Sequence, residues 1–367
     1  MLPREGTKEW QEEIAFYIHA DQKGLEERAQ QLGIKKLSYA REMHARGVYR
    51  GEKRKETQYA KTPPLKKERP SLIINTPKIH LHSPPNQTSS GEEQMMILHV
   101  GDGHAGKLTK SFNNDVYRKR METIYKSTMI IVKEQRNVYP IRKLRILNSG
   151  DNVQGENPYQ GSKIDSVTMG AGEQVTKLAL PTWLDLIYSL KQEFEDIEID
   201  AIRGDHGNPS KEAAEKTNWD LILYDGIKSV VEREKGIKFN IHEEEMATGY
   251  MAGYKFLLFH GGDIKCQQGV PLVAIKQRLI AWQGKYHFRY AFGGHFHKRL
   301  NDELSSQSEF FMVSTLVSDD GWAESKGLTS IPSQWLLGLH PKYGISSRWV
   351  LYVDDDYLPS VVREEEI

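Results

Sequence analysis

The stretch Met95-Met-Ile-Leu-His-Val-Gly-Asp-Gly-His104 decides how the chain reads. Six residues, mostly apolar, give a strand, and the glycine-bounded turn that follows carries a carboxylate and an imidazole two positions apart. Alone, such a triplet is an ordinary turn aspartate near a surface histidine. The pattern recurs, however. Strands expected at 144–148, 197–202, 256–259 and 290–292 run into Gly150-Asp151-Asn152-Val153-Gln154-Gly155, Arg203-Gly204-Asp205-His206-Gly207-Asn208, His260-Gly261-Gly262-Asp263 and Gly293-Gly294-His295-Phe296-His297. Further strands are expected at 310–314 and 349–353, and helices at 116–134, 174–193 and 211–234. Strands interleaved with helices of this length predict an α/β domain, layered in the α+β manner. The later strands crowd together, so that part of the sheet is expected to be mixed or antiparallel.

Leaving Asp263 aside, five consecutive strand-end turns hold three aspartates and five of the 13 histidines. In open α/β sheets, ligands bind beyond the carboxyl ends of strands. His295 and His297 share one face if the segment is extended. Oxygen and imidazole donors without thiolates suit divalent ions, with Mn first and Fe, Zn, Ni or Mg as alternatives. Eight donors exceed the needs of one ion and match two. A pair of ions about 3.5–4 Å apart activates a water and neutralises a phosphate in line with it.

The ordered set Asp102-x-His104, Gly150-Asp151, Gly204-Asp205-His206, His260 and Gly294-His295-x-His297 resembles the calcineurin-like metallophosphoesterases, over about residues 95–320. The resemblance implies a two-sheet β-sandwich flanked by helices, with a dinuclear metal centre at the strand ends. It implies that Asp102, His104 and His297 hold the first metal, that Asp151 bridges, and that Asp205, His260 and His295 hold the second. His206 is then the uncoordinated imidazole that protonates the leaving oxygen or steadies the transition state. One block departs from the family. Where it usually has Gly-Asn-His-Glu/Asp, this chain has Gly204-Asp205-His206-Gly207. Asp205 adds a negative charge beside the second metal, and Gly207 removes an acidic support for the turn or for His206. Phosphatases, cyclic-nucleotide phosphodiesterases, nucleotidases and Mre11-like nucleases all share such a site, so the choice among them falls to the rest of the chain.

The 367 residues carry 50 Lys+Arg against 50 Asp+Glu, which hides an asymmetry. Residues 1–90 hold 17 basic against 11 acidic side chains, leaving 33 against 39 for the remainder. A mean hydropathy of −0.61 and the lack of any long apolar run exclude an integral membrane protein. The single cysteine, Cys266, excludes an internal disulfide framework and a multi-cysteine zinc site, and fits a reducing compartment. The N-terminus lacks the apolar core of a signal peptide, so the expected location is cytoplasmic, in a bacterium or a phage-infected cell.

Residues 1–49 read as a small helical module before a basic, proline-rich linker at 50–94 and the phosphoesterase-like domain at 95–367. Ile14, Phe16, Tyr17 and Ile18 form a first apolar cluster. Leu25-Glu-Glu-Arg-Ala-Gln-Gln-Leu-Gly-Ile34 resembles the first helix and turn of a helix-turn-helix, with Ala29 allowing close packing, Gly33 making the turn and Ile34 closing the core. Lys35, Lys36, Arg41 and Arg46 are then placed to face phosphate. DNA is the expected partner, held near the metals by the module and its basic tether. The arrangement also looks like metallophosphoesterases of bacteriophages and prophages. Asn152, Arg203, Asn208 and Lys211 flank the metal residues and are candidate substrate contacts. The expected function is a dinuclear-metal phosphodiesterase or nuclease acting on DNA. The alternatives are a phosphomonoesterase on nucleotides or phosphoproteins, and a DNA-binding scaffold with an idle phosphoesterase domain. Family members often dimerise, which leaves a homodimer open.

Overall fold

The structure, a computed structural model, describes residues 2–3, 7–45, 91–156, 166–210, 213–265, 271–321 and 330–353. The chain divides into two compact units, Met1–Thr76 and Pro77–Ile367, so the division falls within the basic, proline-rich stretch. No helix among the described residues is long and apolar enough to cross a membrane.

The described residues of the first unit form three helices, α1 (Lys8–His19), α2 (Gln22–Gln31) and α3 (Lys36–Ala45). Thr7 and Asp21 cap the first two, accepting from the backbone N–H of Trp10 at 3.2 Å and Gly24 at 2.7 Å. Gly33, at φ +71°, ends α2 in the left-handed conformation that suits glycine. Trp10, Tyr17, Leu25, Ala29, Tyr39 and Met43 form the core. Buried Glu13 is matched by Arg28 and by the Tyr39 hydroxyl. Two expectations need correction. Ile34 is 38% exposed, and Tyr39 and Met43 of α3 close the core in its place. Phe16 and Ile18 are also exposed, because consecutive residues point away from each other around a helix and only the Trp10–Tyr17 face meets its neighbours.

The second unit holds two mixed sheets flanked by helices. Its strands are β1 (Met95–Val100), β2 (Lys143–Asn148), β3 (Asp196–Ile202), β4 (Ile237–His242), β5 (Met246–Met251), β6 (Tyr254–Phe259), β7 (Tyr290–Gly293), β8 (Leu300–Ser305), β9 (Ser308–Met312), β10 (Ser333–His340) and β11 (Gly344–Tyr352). One sheet has the order β11-β10-β1-β2-β3-β4, with β1 to β4 parallel and β10 and β11 antiparallel. The other has the order β5-β6-β7-β9-β8, with β6, β7 and β9 parallel and both edges antiparallel. The helices are α4 (Asn114–Gln135), α5 (Ala171–Glu173), which runs through a π-helical turn (Gln174–Ala179) into α6 (Leu180–Lys191), then α7 (Trp219–Val231) and α8 (Pro271–Tyr286).

Side-chain alternation explains the layers. Phe256, Leu258, Phe292, Phe311 and Val313 point between the sheets and meet Ile97, Leu147, Ile202, Leu337 and Leu339. Their neighbours Leu257, Phe259, Phe310 and Met312 point to the other face, where Ile275 and Leu279 of α8 cover them. Each of these fully buried apolar side chains contributes about 1.5–3 kcal/mol.

The seven expected strands all form, as do the helices expected at 116–134 and 174–193. The helix expected at 211–234 starts only at Trp219, after a single 3-10 turn (Glu215–Thr217). β4, β5, β8, β10 and α8 were not anticipated. β8 is an edge strand whose side chains alternate between half-buried and exposed, and Gly249 and Gly338 interrupt the patterns of β5 and β10.

Candidate metal centre

The parallel strands β1, β2, β3, β6 and β7 all deliver their carboxyl-terminal turns to one place. Five of the eight non-glycine residues with positive φ among the described residues lie on these turns: Asp102 (+51°), His104 (+48°), Asp151 (+54°), His295 (+71°) and His297 (+51°). Each such conformation costs on the order of 1 kcal/mol and persists only where its surroundings impose it. The turns are also pressed together. A Cβ on Gly150 (φ +92°) would lie 2.5 Å from the Gly204 nitrogen, and one on Gly294 would lie 2.5 Å from Asp102 Oδ2. Glycine at both positions lets the backbones close on the carboxylates.

Three donor groups result, each with its ligand atoms within 4.8 Å of one another: Asp102, His104 and His297; Asp151, Asp205, His260 and His295; and His104, Asp151 and His206. Asp102 and Asp151 are fully buried, as are His104 and His260. His104 Nε2 faces His297 Nε2 at 2.9 Å, and Asp102 Oδ1 lies 3.7 Å from the latter. His260 Nε2 lies 3.3 Å from Asp151 Oδ2 and 3.2 Å from Asp205 Oδ1, while His295 Nδ1 lies 3.5 Å from Asp205 Oδ2. His260 Nδ1 donates to the Ser149 carbonyl at 2.8 Å, which turns Nε2 toward the two carboxylates. His206 is half-buried. Its Nδ1 lies 3.3 Å from the Gln154 carbonyl and its ring centroid 4.5 Å from that of His104. Asp151 Oδ2 is buried with the His260 ring nitrogen 3.3 Å away and makes no hydrogen bond of ordinary geometry, which is what a cation site looks like from the protein side.

The two halves differ electrostatically. Burial drives His104 well below the usual imidazole range, helped by His206 and His297, and takes His297 down to about 4 against the pull of Asp320. Both are therefore neutral donors. Burial also opposes charge on His260, but Asp151 and Asp205 outweigh it and hold that imidazole well above its usual range. Asp205 is held well below the carboxylate range despite burial, by hydrogen bonds from His260 and His295. Burial lifts Asp102 to about 8, opposed by His260 and reinforced by Asp151.

Two carboxylates that the sequence pattern does not single out support this centre. Asp220, fully buried in the first turn of α7, accepts from the N–H groups of Asp151 at 2.9 Å, Asn152 at 3.0 Å and Gly204 at 2.9 Å, tying the turn after β2 to the turn after β3. Asn218, the N-cap of α7, donates to the Gly204 carbonyl at 2.8 Å. A Cβ on Gly207 would lie 2.3 Å from Asn218 Oδ1. The side chain missing at 207 is thus excluded by the residues that brace the turn from α7. Asp320 follows β9 and reaches His297. Its signal in the sequence is the acidic, glycine-ended stretch Asp319-Asp320-Gly321, which lies further from the end of β9 than the other acidic turns lie from their strands.

The other candidates are placed as follows. Asn152 is buried, its amide donating to Asn148 and to Tyr224. Arg203 is buried and paired with Glu245 and Glu215, and Asn208 accepts from Asn218 at 2.9 Å. Their polar groups are engaged within the fold. Lys35 and Arg41 are exposed on the first unit. Lys211, Arg46 and the side chain of Lys36 lie outside the described residues.

No family model matches the chain, and no curated protein does. Solved structures similar to it include Vps29 of Cryptosporidium parvum (16% identity, 68% of this chain and 86% of that one, TM-score 0.33) and a Zn-complexed Vps29 of Entamoeba histolytica (12%, 70% and 99%, TM-score 0.31). A 5'-nucleotidase of Candida albicans is 12% identical over 70% of this chain and 49% of its own, with a TM-score of 0.31. Superpositions this loose carry no weight for activity, and the chemistry rests on the geometry above.

Proposed function

We propose that this chain is a calcineurin-like metallophosphoesterase that holds two divalent cations, Mn first among them, and hydrolyses a phosphodiester, with DNA as its substrate. The observation that carries this reading is the convergence of three carboxylates and four imidazoles into two donor groups, with Asp151 of one grouped with His104 of the other and with a fifth imidazole, His206. The residues fit the ions chemically, because the donors are all oxygen or nitrogen and largely shielded from water. When bound, the ions supply Lewis-acid polarisation of the phosphoryl group and of water.

The chain's own residues do the rest. Asp102, His104 and His297 would hold one ion, Asp205, His260 and His295 would hold the other, and Asp151 would serve both. The Gln154 carbonyl can only accept, so His206 keeps a hydrogen on Nδ1 and exchanges its second proton at Nε2, where a leaving oxygen would take it. Asp205 favours the diester. Two divalent cations against three carboxylates leave one net positive charge, where asparagine at 205 would leave two. A smaller positive field discriminates less in favour of a monoester dianion over a diester monoanion. Exposed Lys35 and Arg41, with the basic excess of residues 1–90, support a polyanionic substrate.

Cleavage of end-labelled single- and double-stranded DNA with Mn²⁺ tests the substrate. Products that vanish in His206→Ala support a nuclease. Intact DNA with hydrolysis of a bis(nitrophenyl) diester or a nitrophenyl monoester would keep the metal chemistry and remove DNA as its target.

A further inference from the structure

His297 is held from behind. Its Nδ1 lies 2.9 Å from Asp320 Oδ2, and the same oxygen takes the Lys107 ammonium at 2.8 Å. All three side chains are buried. An ionised carboxylate only accepts, so Nδ1 carries the hydrogen and Nε2 presents its lone pair to the first donor group. The turn bearing Asp320 is itself fixed. Arg120 of α4 donates to the Leu316 carbonyl and, at 3.0 Å, to Ser318 Oγ, while Thr109 Oγ1 donates to the Ser318 carbonyl at 2.8 Å. Asp319 adopts φ +53° to turn the next residue inward.

His260 of the second donor group is backed differently. His260 leans on a neutral carbonyl, that of Ser149, and the group's charge comes from Asp205 as a direct donor. The first group has Asp102 alone besides the shared Asp151, and a further carboxylate, Asp320, whose charge is balanced by Lys107, sits behind His297 as a hydrogen-bond acceptor.

We propose that Asp320 is the positioning residue of the first ion: it fixes the tautomer and direction of His297, strengthens Nε2 as a donor, and thereby sets the affinity of one ion independently of the other. The proposal rests on the two-ion reading above. A carboxylate behind a metal-bound histidine is generally worth about 10–100-fold in metal affinity.

The test is a Mn²⁺ titration of the metal-stripped full-length protein, following free Mn²⁺ by electron paramagnetic resonance, for the wild type, Asp320→Ala and the isosteric Asp320→Asn. The expected result is two ions in the wild type, and in Asp320→Ala one ion at unchanged affinity and the other weakened about 10–100-fold. Asp320→Asn, which keeps an oxygen acceptor without the charge, falls between, and it carries the test if the alanine variant does not fold. Unchanged affinity for both ions in both variants would overturn the proposal. So would equal weakening of both ions, which is the mark of a general structural defect. Fewer than two ions in the wild type would instead contradict the two-ion reading itself.

Discussion

Asp205 and His206 are adjacent in the chain and play opposite parts. The Asp205 carboxylate spans His260 and His295, whereas the half-buried His206 ring faces His104 and leans on the Gln154 carbonyl. His206→Ala is therefore expected to keep both ions and lose about 10²–10⁴-fold in turnover. Metal analysis beside a rate measurement checks this, and lost metal would make His206 a ligand. The charges also set a pH dependence. Asp102 is raised to about 8 chiefly by burial, and His260 and His295 are raised above 6.5 by Asp151 and Asp205. Stripped of metal, these three groups hold more protons folded than unfolded between about pH 7 and 8, where the depressed His104 and His297 are already largely deprotonated in either state. The chain's stability therefore falls as pH rises through that window. Bound cations displace those protons, so metal should restore more stability at about pH 8 than at about pH 7. Thermal melts with and without Mn²⁺ at the two values test the sign, and a metal-stripped protein that gains stability towards pH 8 contradicts it.

The turns are useful only because other elements hold them in register. Asp220 of α7 satisfies three backbone N–H groups from two different turns, so Asp220→Ala leaves buried donors unpaired. The expected loss is on the order of 3 kcal/mol, read from the urea midpoint, together with weaker metal uptake. An unchanged midpoint would mean that the turns hold their shape without α7. This level also shows where the sequence was legible. The eight donors stood out because each lies on a glycine-bearing turn at the end of a short apolar run, and those runs are continuous because the parallel strands are buried on both faces. Asp220 was hidden because its work is done by a helix start far from the turns it serves. β8 was hidden because an edge strand buries too little to imprint a pattern, as its alternating half-buried and exposed side chains show. In α1 the reverse held: consecutive apolar residues suggested a cluster that helical geometry splits between core and solvent.

The molecule joins a small helical unit to a large two-sheet unit, and the functional proposal assigns them separate tasks. If the first unit holds DNA, replacing exposed Lys35 and Arg41 with alanine in the full chain should weaken DNA binding and lower the salt slope by about 2, one for each phosphate no longer neutralised. Small-diester hydrolysis should be unaffected. Unchanged DNA affinity and salt slope would assign that unit another partner. The large unit carries the heavier commitment, namely that eight side chains from five strand ends form a working two-ion phosphoesterase centre. Hydrolysis of bis(nitrophenyl) phosphate by the Mn²⁺-loaded protein and its His206→Ala variant, with bound ions counted in both, examines that commitment in one experiment. Two ions in each protein and turnover only in the wild type is the expected result. A wild-type chain that binds no ions, or a variant that hydrolyses the diester as fast as the wild type, would contradict it.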